Sequence, residues 1–261
     1  CRWGPASESP TTLTPLVSNA SPGAMAASVL LRLLLAPSVL LCVGAVNVQT
    51  KSERAVLRET AERYKMVLGS SRKKTSKQGD IKGEIRPRGL ISLLKHVGAK
   101  PGMRFFEIGS GAGKAVQLAA QLFGLNSTGV ELESEVHKVG CLALGLMKER
   151  LGKGGAVRLV HGSLFDYDFS DADIVFTDNV EFSDEMIGYI EKLSRSMKKG
   201  SLLITFKMWP GKDFKERETM HVATTWSDRA LATINEKVTD ERPPTGLPVP
   251  GQAADMCEKD Q

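Results

Sequence analysis

The period of apolar and polar positions changes several times along the 261-residue chain, and each change marks an element. Residues 1–24 are rich in Ser, Pro, Thr and Ala and show no apolar period. They are expected to be disordered or to lie upstream of a start at Met25. Residues 29–46 are almost continuously apolar, broken only by Arg32, Pro37 and Ser38, and the run ends on the small residues Val43-Gly44-Ala45. A hydrophobic leader is therefore expected over 25–50, either as a cleaved signal or as an anchor, because about 18 apolar residues reach the lower limit for a membrane span. A mitochondrial presequence fits the uniform apolarity less well. Residues 51–68 return to a helical period, with Val56, Thr60, Tyr64 and Val67 as a stripe among charged positions. A polar, basic loop carrying Arg72, Lys73, Lys74 and Lys77 follows.

From Glu84 onward the pattern is regular. Pro87 opens a helix with Leu90, Leu93, Leu94 and Val97 on one face, and Gly98 stands past its end. Strands are expected at 104–108, 127–131, 157–160, 172–177 and 201–206. Helices are expected between them at 114–123 and 134–151, the latter with Val139, Ala143, Leu146 and Met147 inward. Another helix follows Ser183, which caps it ahead of Asp184 and Glu185, and Gly200 ends the segment. Alternating strands and helices predict an α/β, Rossmann-like fold with a mostly parallel, doubly wound sheet. Residues 221–226 and 230–237 break the alternation, because only Ser227-Asp228-Arg229 separates them. They predict an antiparallel hairpin that closes a seven-stranded sheet over a core at 101–240. Residues 51–100 form a helical extension with a covering loop, and the Pro/Gly-rich residues 241–261 are expected to be disordered.

Composition narrows this picture only a little. A hydrophobic content of 41% supports one α/β core with appendages. The formal charge of +5 suits a solvated surface, with Arg72, Lys73, Lys74 and Lys77 as a candidate weak contact for nucleic-acid phosphates. The apolar run 29–46 is the candidate membrane contact. Cys1, Cys42, Cys141 and Cys257 are far apart in sequence, as are the four histidines, so no metal site is expected. Cys141 is expected to be a small packing residue on its helix.

The chemistry centres on Phe105-Phe106-Glu107-Ile108-Gly109-Ser110-Gly111-Ala112-Gly113-Lys114, where a strand gives way to a helix. Glycines let the backbone turn sharply and approach a ligand closely. Glu107 precedes them, where a dinucleotide pyrophosphate would be repelled and a cation welcomed. Glu131 ends the second strand, in position to take two ribose hydroxyls. A carboxylate at each place suits S-adenosyl-L-methionine, which carries a cationic amine and a cationic sulfonium. A hairpin closing a parallel sheet points to class I methyltransferases over dehydrogenases.

Residues 83–237 resemble the catalytic domain of Dot1-like protein-lysine methyltransferases. Lys82-Gly83-Glu84-Ile85 is similar to that family's Y-G-E loop. The stretch 107–114 resembles its D-L-G-S-G-x-G motif, and Gly129-Val130-Glu131 matches its G-V-E. His161-Gly162-Ser163-Leu164-Phe165 resembles its G-D-F segment, and 174–182 resembles the V-I-F-V-N-N-F-A-F motif that lines the lysine channel. Lys82 stands in place of the tyrosine, Ser163-Leu164 in place of Asp-Phe, and Asp178 in place of the first channel Asn.

The resemblance implies methyl transfer from S-adenosyl-L-methionine to a lysine of a protein substrate, histone or other. Glu84, Glu107, Gly109, Ser110, Gly111, Gly113, Lys114, Glu131, Ser163 and Leu164 would hold the cofactor. Asp178, Asn179 and Phe182 would face the amine, with Trp209 helping to exclude water. Mitochondrial lysine methyltransferases with a similar glycine-rich core and a hydrophobic leader are also similar to the chain. A small-molecule or nucleic-acid methyltransferase is the alternative, although no N-P-P-Y or D-P-P-Y motif follows the fourth strand. A catalytically inactive binding module of the same fold is the alternative from another class. The compartment is contested within the sequence: a Dot1-like core belongs in a nucleus, and a hydrophobic leader at 25–45 argues for secretory or organellar entry.

Overall fold

The computed structural model describes residues 50–71, 83–148, 154–207, 211–253 and 255–259. All lie in the compact unit spanning Val48–Gln261. The apolar run 29–46, the cluster Arg72, Lys73, Lys74 and Lys77, Lys82 and Trp209 fall outside these residues. No helix among the described residues is long and apolar enough to cross a membrane.

Two helices, α1 (Lys51–Ser71) and α2 (Pro87–His96), precede the sheet. Then follow β1 (Arg104–Ile108), α3 (Lys114–Phe123), β2 (Asn126–Glu131), α4 (Ser134–Gly145) and β3 (Val157–His161). After these come β4 (Ile174–Thr177), α5 (Asp184–Ser194), β5 (Leu202–Thr205), β6 (Phe214–Val222), β7 (Ala230–Lys237) and β8 (Met256–Lys259). The sheet has eight strands in the order β6-β7-β5-β4-β1-β2-β3-β8. Strands β1 to β5 run parallel, while β7 is antiparallel to both β5 and β6. The strand order reverses direction between β1 and β4, so their carboxyl ends open a crevice of the kind in which α/β sheets bind ligands.

A period of two along the central strands supplies both faces of the sheet with core. Phe105, Ile174, Phe176 and Ile204 pack on one face with Leu90, Leu94 and Leu118 of the helices. Their chain neighbours Phe106, Val175 and Leu203 pack on the other with Ile187, Ile190 and Leu193 of α5. A strand buried on both faces needs such a continuous apolar run, which is why β1, β4 and β5 read as short hydrophobic blocks.

Helix α1 docks through the stripe expected of it, with Val56, Thr60, Tyr64 and Val67 all buried. Arg63 is also buried, at 2% exposure. It pairs with Glu59 at 3.0 Å and donates to Gln117 Oε1, Gln121 Oε1 and the carbonyl of Ala143. A buried guanidinium persists only when its donors find acceptors, so this network fixes α1 against α3 and α4.

Several expectations are corrected by the fold. The sheet has an eighth strand: of the stretch expected to be a disordered tail, residues 241–253 and 255–259 are ordered, and β8 pairs antiparallel with β3. Sparse apolar patterning hides this strand, whose stability comes from a partner edge and a covalent link. That link is a disulfide between Cys141 and Cys257, 116 residues apart with Cα atoms 5.7 Å apart, so Cys141 is not a simple packing residue. The first hairpin strand is Phe214–Val222, and the connection runs over 223–229 instead of three residues. Helix α4 ends at Gly145, short of the expected 151. It buries His137, Gly140, Ala143 and Leu144, while Leu146 is exposed. The close approach at Gly140 requires glycine, because a Cβ there would meet the carbonyl oxygen of Ala112 at 2.8 Å.

Candidate active site

The glycine turn lies at the crevice. Gly109, Gly111 and Gly113 have φ of 72°, 55° and 71°, in the left-handed region where a side chain is strained. Backbone bonds fix the turn: Gly109 N–H and Ser110 N–H both donate to the carbonyl of Val130, at 3.0 and 2.9 Å. The glycines play different parts. A Cβ on Gly113 would come within 2.5 Å of Leu159, so that glycine serves packing. A Cβ on Gly111 would meet nothing within 4 Å, and one on Gly109 only Phe182 Cζ at 3.5 Å. Those two present bare backbone to open space.

Carboxylates surround this cradle. Glu107 sits at the end of β1, buried, and its Oε2 has no hydrogen-bond partner. Burial pushes its carboxyl well above the usual range, and the nearby charges of Glu84, Asp178 and Glu131 push the same way. Glu131 ends β2. Its Oε2 accepts from Gly111 N–H and its Oε1 from Glu133 N–H, both at 2.8 Å. The glycine turn and the second-strand acid are therefore one hydrogen-bonded unit. Glu84 pairs with Lys114 Nζ at 2.6 Å, which also lies 5.2 Å from the centre of the Tyr64 ring. The Tyr64 hydroxyl donates to the carbonyl of Ala112 at 2.6 Å, so α1 also braces the turn.

Across the crevice stand the residues after β4. Asp178 Oδ2 accepts from Trp226 Nε1–H at 3.0 Å. Burial raises its carboxyl, against the lowering effect of that bond and of the Val180 N–H. Trp226 is 47% exposed and packs edge-on to Phe206, with centroids 5.5 Å apart. Phe182 lies over Gly109. Asn179 is fully buried. Its Oδ1 accepts from the N–H groups of Phe206 and Lys207 at 2.9 Å each, and its Nδ2 has no partner. It ties the end of β4 to the end of β5. Gly83 and Glu84 reach the same edge: Glu84 N–H donates to Thr225 Oγ1, and Thr225 N–H donates to the Glu84 carbonyl.

The predicted residues thus fall in two groups. Glu84, Glu107, Gly109, Ser110, Gly111, Gly113, Lys114 and Glu131 converge on the cradle. Asp178 and Phe182 line the facing side, with Asn179 behind them. Ser163 caps a short 3-10 turn at Leu164–Asp166, its Oγ accepting from Phe165 N–H at 3.2 Å. That turn follows β3 along the same edge of the sheet. Sequence reasoning misses Trp226 and Tyr64 as site residues. Trp226 falls in a strand-like run, and nothing local sets it apart from a strand residue. Tyr64 lies in the apolar stripe of α1, where a tyrosine whose hydroxyl needs a partner is the available clue. His137, Cys141 and Cys257 bring three ligand-type atoms within 4.8 Å, but the two sulfurs are joined, which leaves no thiolate pair for a metal.

Among solved structures, an RNA methyltransferase from Salinibacter ruber in complex with S-adenosyl-L-homocysteine has 16% identity and a TM-score of 0.43 over 59% of this chain and 92% of that one. A mutant of MtNAS in complex with S-adenosylmethionine has 14% identity and a TM-score of 0.47 over 72% and 75%. A SAM-dependent methyltransferase from Geobacter sulfurreducens has 20% identity and a TM-score of 0.37 over 54% of each chain. No curated protein matches the chain. Residues 71–239, more than half of the chain, match the family model described as histone methylation protein DOT1. The chain belongs to that family and is an S-adenosyl-L-methionine-dependent methyltransferase.

Proposed function

We propose that the chain transfers a methyl group from S-adenosyl-L-methionine to the ε-amine of a lysine in a protein. The observation that carries this reading is Asp178, a half-buried carboxylate held by Trp226, lying against Gly83 and close enough to Glu107 to raise its carboxyl, with Phe182 of the same loop over Gly109. A carboxylate in an aromatic frame attracts an ammonium stem and sheds its water. DOT1 family membership points to the same substrate class.

The cradle suits the cofactor. Glu107 Oε2 is a buried acceptor with no partner, which a cationic amine would satisfy. The open faces of Gly109 and Gly111 admit a ligand against the backbone. Glu131 is oriented through two backbone donors, and each of its oxygens keeps a lone pair for a ribose hydroxyl. When bound, the cofactor supplies an electrophilic methyl on a sulfonium. The chain's part is alignment and desolvation, worth several kcal/mol when reacting atoms are held about 3 Å apart. Glu84 and Lys114 would close the cradle, as a pair that braces the covering loop. Asp178 would orient the amine and Phe182 would keep water out. Asn179 would act through the backbone of 206–207.

The apolar run 29–46 favours a non-histone protein of an organelle over a nucleosome. The test incubates the full chain with radiolabelled S-adenosyl-L-methionine and, in parallel, nucleosomes, free histones and an organellar extract. Methyl-lysine in hydrolysed protein is the expected result. Label only in RNA or in small molecules would overturn the reading. Label confined to histones would overturn the organellar preference.

A further inference from the structure

Beside the site, on the far edge of the sheet, lies a cluster that methyl transfer does not use. Cys141 on α4 and Cys257 on β8 form a disulfide. Both residues are half-buried. His137, one turn before Cys141, places Nε2 3.2 Å from the Cys141 sulfur. Asp255, two residues before Cys257, has Oδ2 2.8 Å from His161 Nδ1 and Oδ1 3.9 Å from His137 Nε2. The imidazole rings of His137 and His161 stack with centroids 5.6 Å apart.

This cluster connects to the cofactor acid in two short steps. His161 Nε2 contacts the carbonyl of Leu132 at 3.2 Å, and Leu132 immediately follows Glu131. His161 is also the register partner of Glu131 across β2 and β3. On the α4 side, Gly140 packs against the carbonyl of Ala112 in the glycine turn. β8 is four residues long and pairs with β3. So short an edge strand is weakly held by its ladder alone. The disulfide adds a covalent tie to the contacts that hold it, which are the Arg158–Glu258 ion pair, the Lys259 Nζ bond to the Met147 carbonyl and the His161 N–H bond to the Asp255 carbonyl.

We propose that Cys141 and Cys257 form a thiol–disulfide exchange site, reduced by a dithiol, whose oxidation state sets the affinity of the cofactor site. A thiolate of the dithiol attacks Cys257 sulfur, the Cys141–Cys257 bond breaks, and Cys141 leaves as a thiolate. His137, in its Nε2–H tautomer, donates a hydrogen bond to that thiolate, which makes Cys141 the better leaving group. The second thiol of the reductant then attacks the mixed disulfide and releases Cys257. Two electrons and two protons pass to the cysteines, and the reductant leaves as a disulfide. Freed of its covalent tie, β8 frays, Asp255 lets go of His161, and the turn after Glu131 loosens. Oxidation reverses each step.

The proposal rests on the cofactor assignment, and one experiment separates the two. The full chain is oxidised with diamide or reduced with dithiothreitol, and S-adenosyl-L-methionine binding is measured by calorimetry in each state. Peptide mapping reports the Cys141–Cys257 cross-link. The reduced protein is expected to bind about tenfold more weakly, an ordinary coupling between two sites. By linkage, saturating cofactor must then make the disulfide harder to reduce, shifting its midpoint in a glutathione buffer by about 30 mV to more negative potential. Cys257→Ser should bind weakly in both buffers. Asp255→Asn should keep the cross-link and yet bind as the reduced protein does. Equal affinity of the two parent states overturns the coupling and leaves the cofactor assignment standing. Binding in neither state overturns both. An oxidised protein with no cross-linked peptide, or Asp255→Asn binding as the oxidised parent does, also overturns the proposal.

Discussion

Glu131→Gln tests the centre of the site with the least change of shape. Each oxygen of the carboxylate accepts one backbone N–H at 2.8 Å, from Gly111 on one side and Glu133 on the other. An amide of the same outline has one oxygen and one NH2. Whichever way it turns, one backbone N–H then faces a donor. A hydrogen bond to a charged acceptor is worth roughly 1.5–3 kcal/mol, so one lost bond and one weakened bond cost about 2 kcal/mol in the cradle. The ribose would lose part of a charged acceptor as well, and because the two backbone bonds are made with or without cofactor, only this loss, about 2 kcal/mol, enters binding. At tenfold for each 1.4 kcal/mol, that is on the order of 30-fold in Kd. Calorimetry with S-adenosyl-L-methionine measures it, and circular dichroism checks that the fold survives. A 2′-deoxyribose analogue separates the two contributions: it should bind the parent more weakly but the variant nearly as well as the natural cofactor does. A Kd within about threefold of the parent would refute the assignment of Glu131.

Other consequences follow from neighbouring residues. Glu107 holds its proton more tightly in the folded chain than in the unfolded one, so its contribution to stability is present in full below the ordinary carboxylate range and is lost as pH rises toward its raised value. Melting temperature against pH should show that fall in the parent without cofactor, and Glu107→Gln should flatten it. Since a cation bound beside Glu107 favours its ionised form, affinity for S-adenosyl-L-methionine should rise over the same window, and a flat affinity would count against that contact. Gly113→Ala forces a Cβ to within 2.5 Å of Leu159 at a φ of 71°, so strain and overpacking should cost about 3 kcal/mol of stability by urea titration. Trp226→Phe removes the indole N–H from Asp178 but keeps a ring against Phe206. It should lower kcat about tenfold with the Kd for S-adenosyl-L-methionine unchanged, since the lost bond is on the acceptor side. A weakened cofactor Kd would move Trp226 into the cofactor site.

Elements whose signals are local can be read directly from the chain. A run such as Phe105-Phe106-Glu107-Ile108 followed by three glycines specifies a buried strand and a left-handed turn, because period and backbone freedom act within a few residues. Ser183 and the stripe through Ile190 and Leu193 specify α5 in the same way, and the structure shows the cap bond from Met186 N–H to Ser183 Oγ at 3.3 Å. The acids at Glu107 and Glu131 are legible from their places at strand ends. What these residues do to one another is a property of the packed fold. That Glu131 holds the glycine turn, that Trp226 leaves the hairpin to hold Asp178, and that Asn179 turns from the crevice to hold 206–207 all depend on loops meeting in space. The eighth strand depends on it most. Met256-Cys257-Glu258-Lys259 has too little apolar character to announce a strand, and becomes one because β3 offers an unpaired edge and Cys141 a sulfur. A cross-link spanning 116 residues leaves no trace in local periodicity, since the chain between its ends must fold before its two cysteines are neighbours.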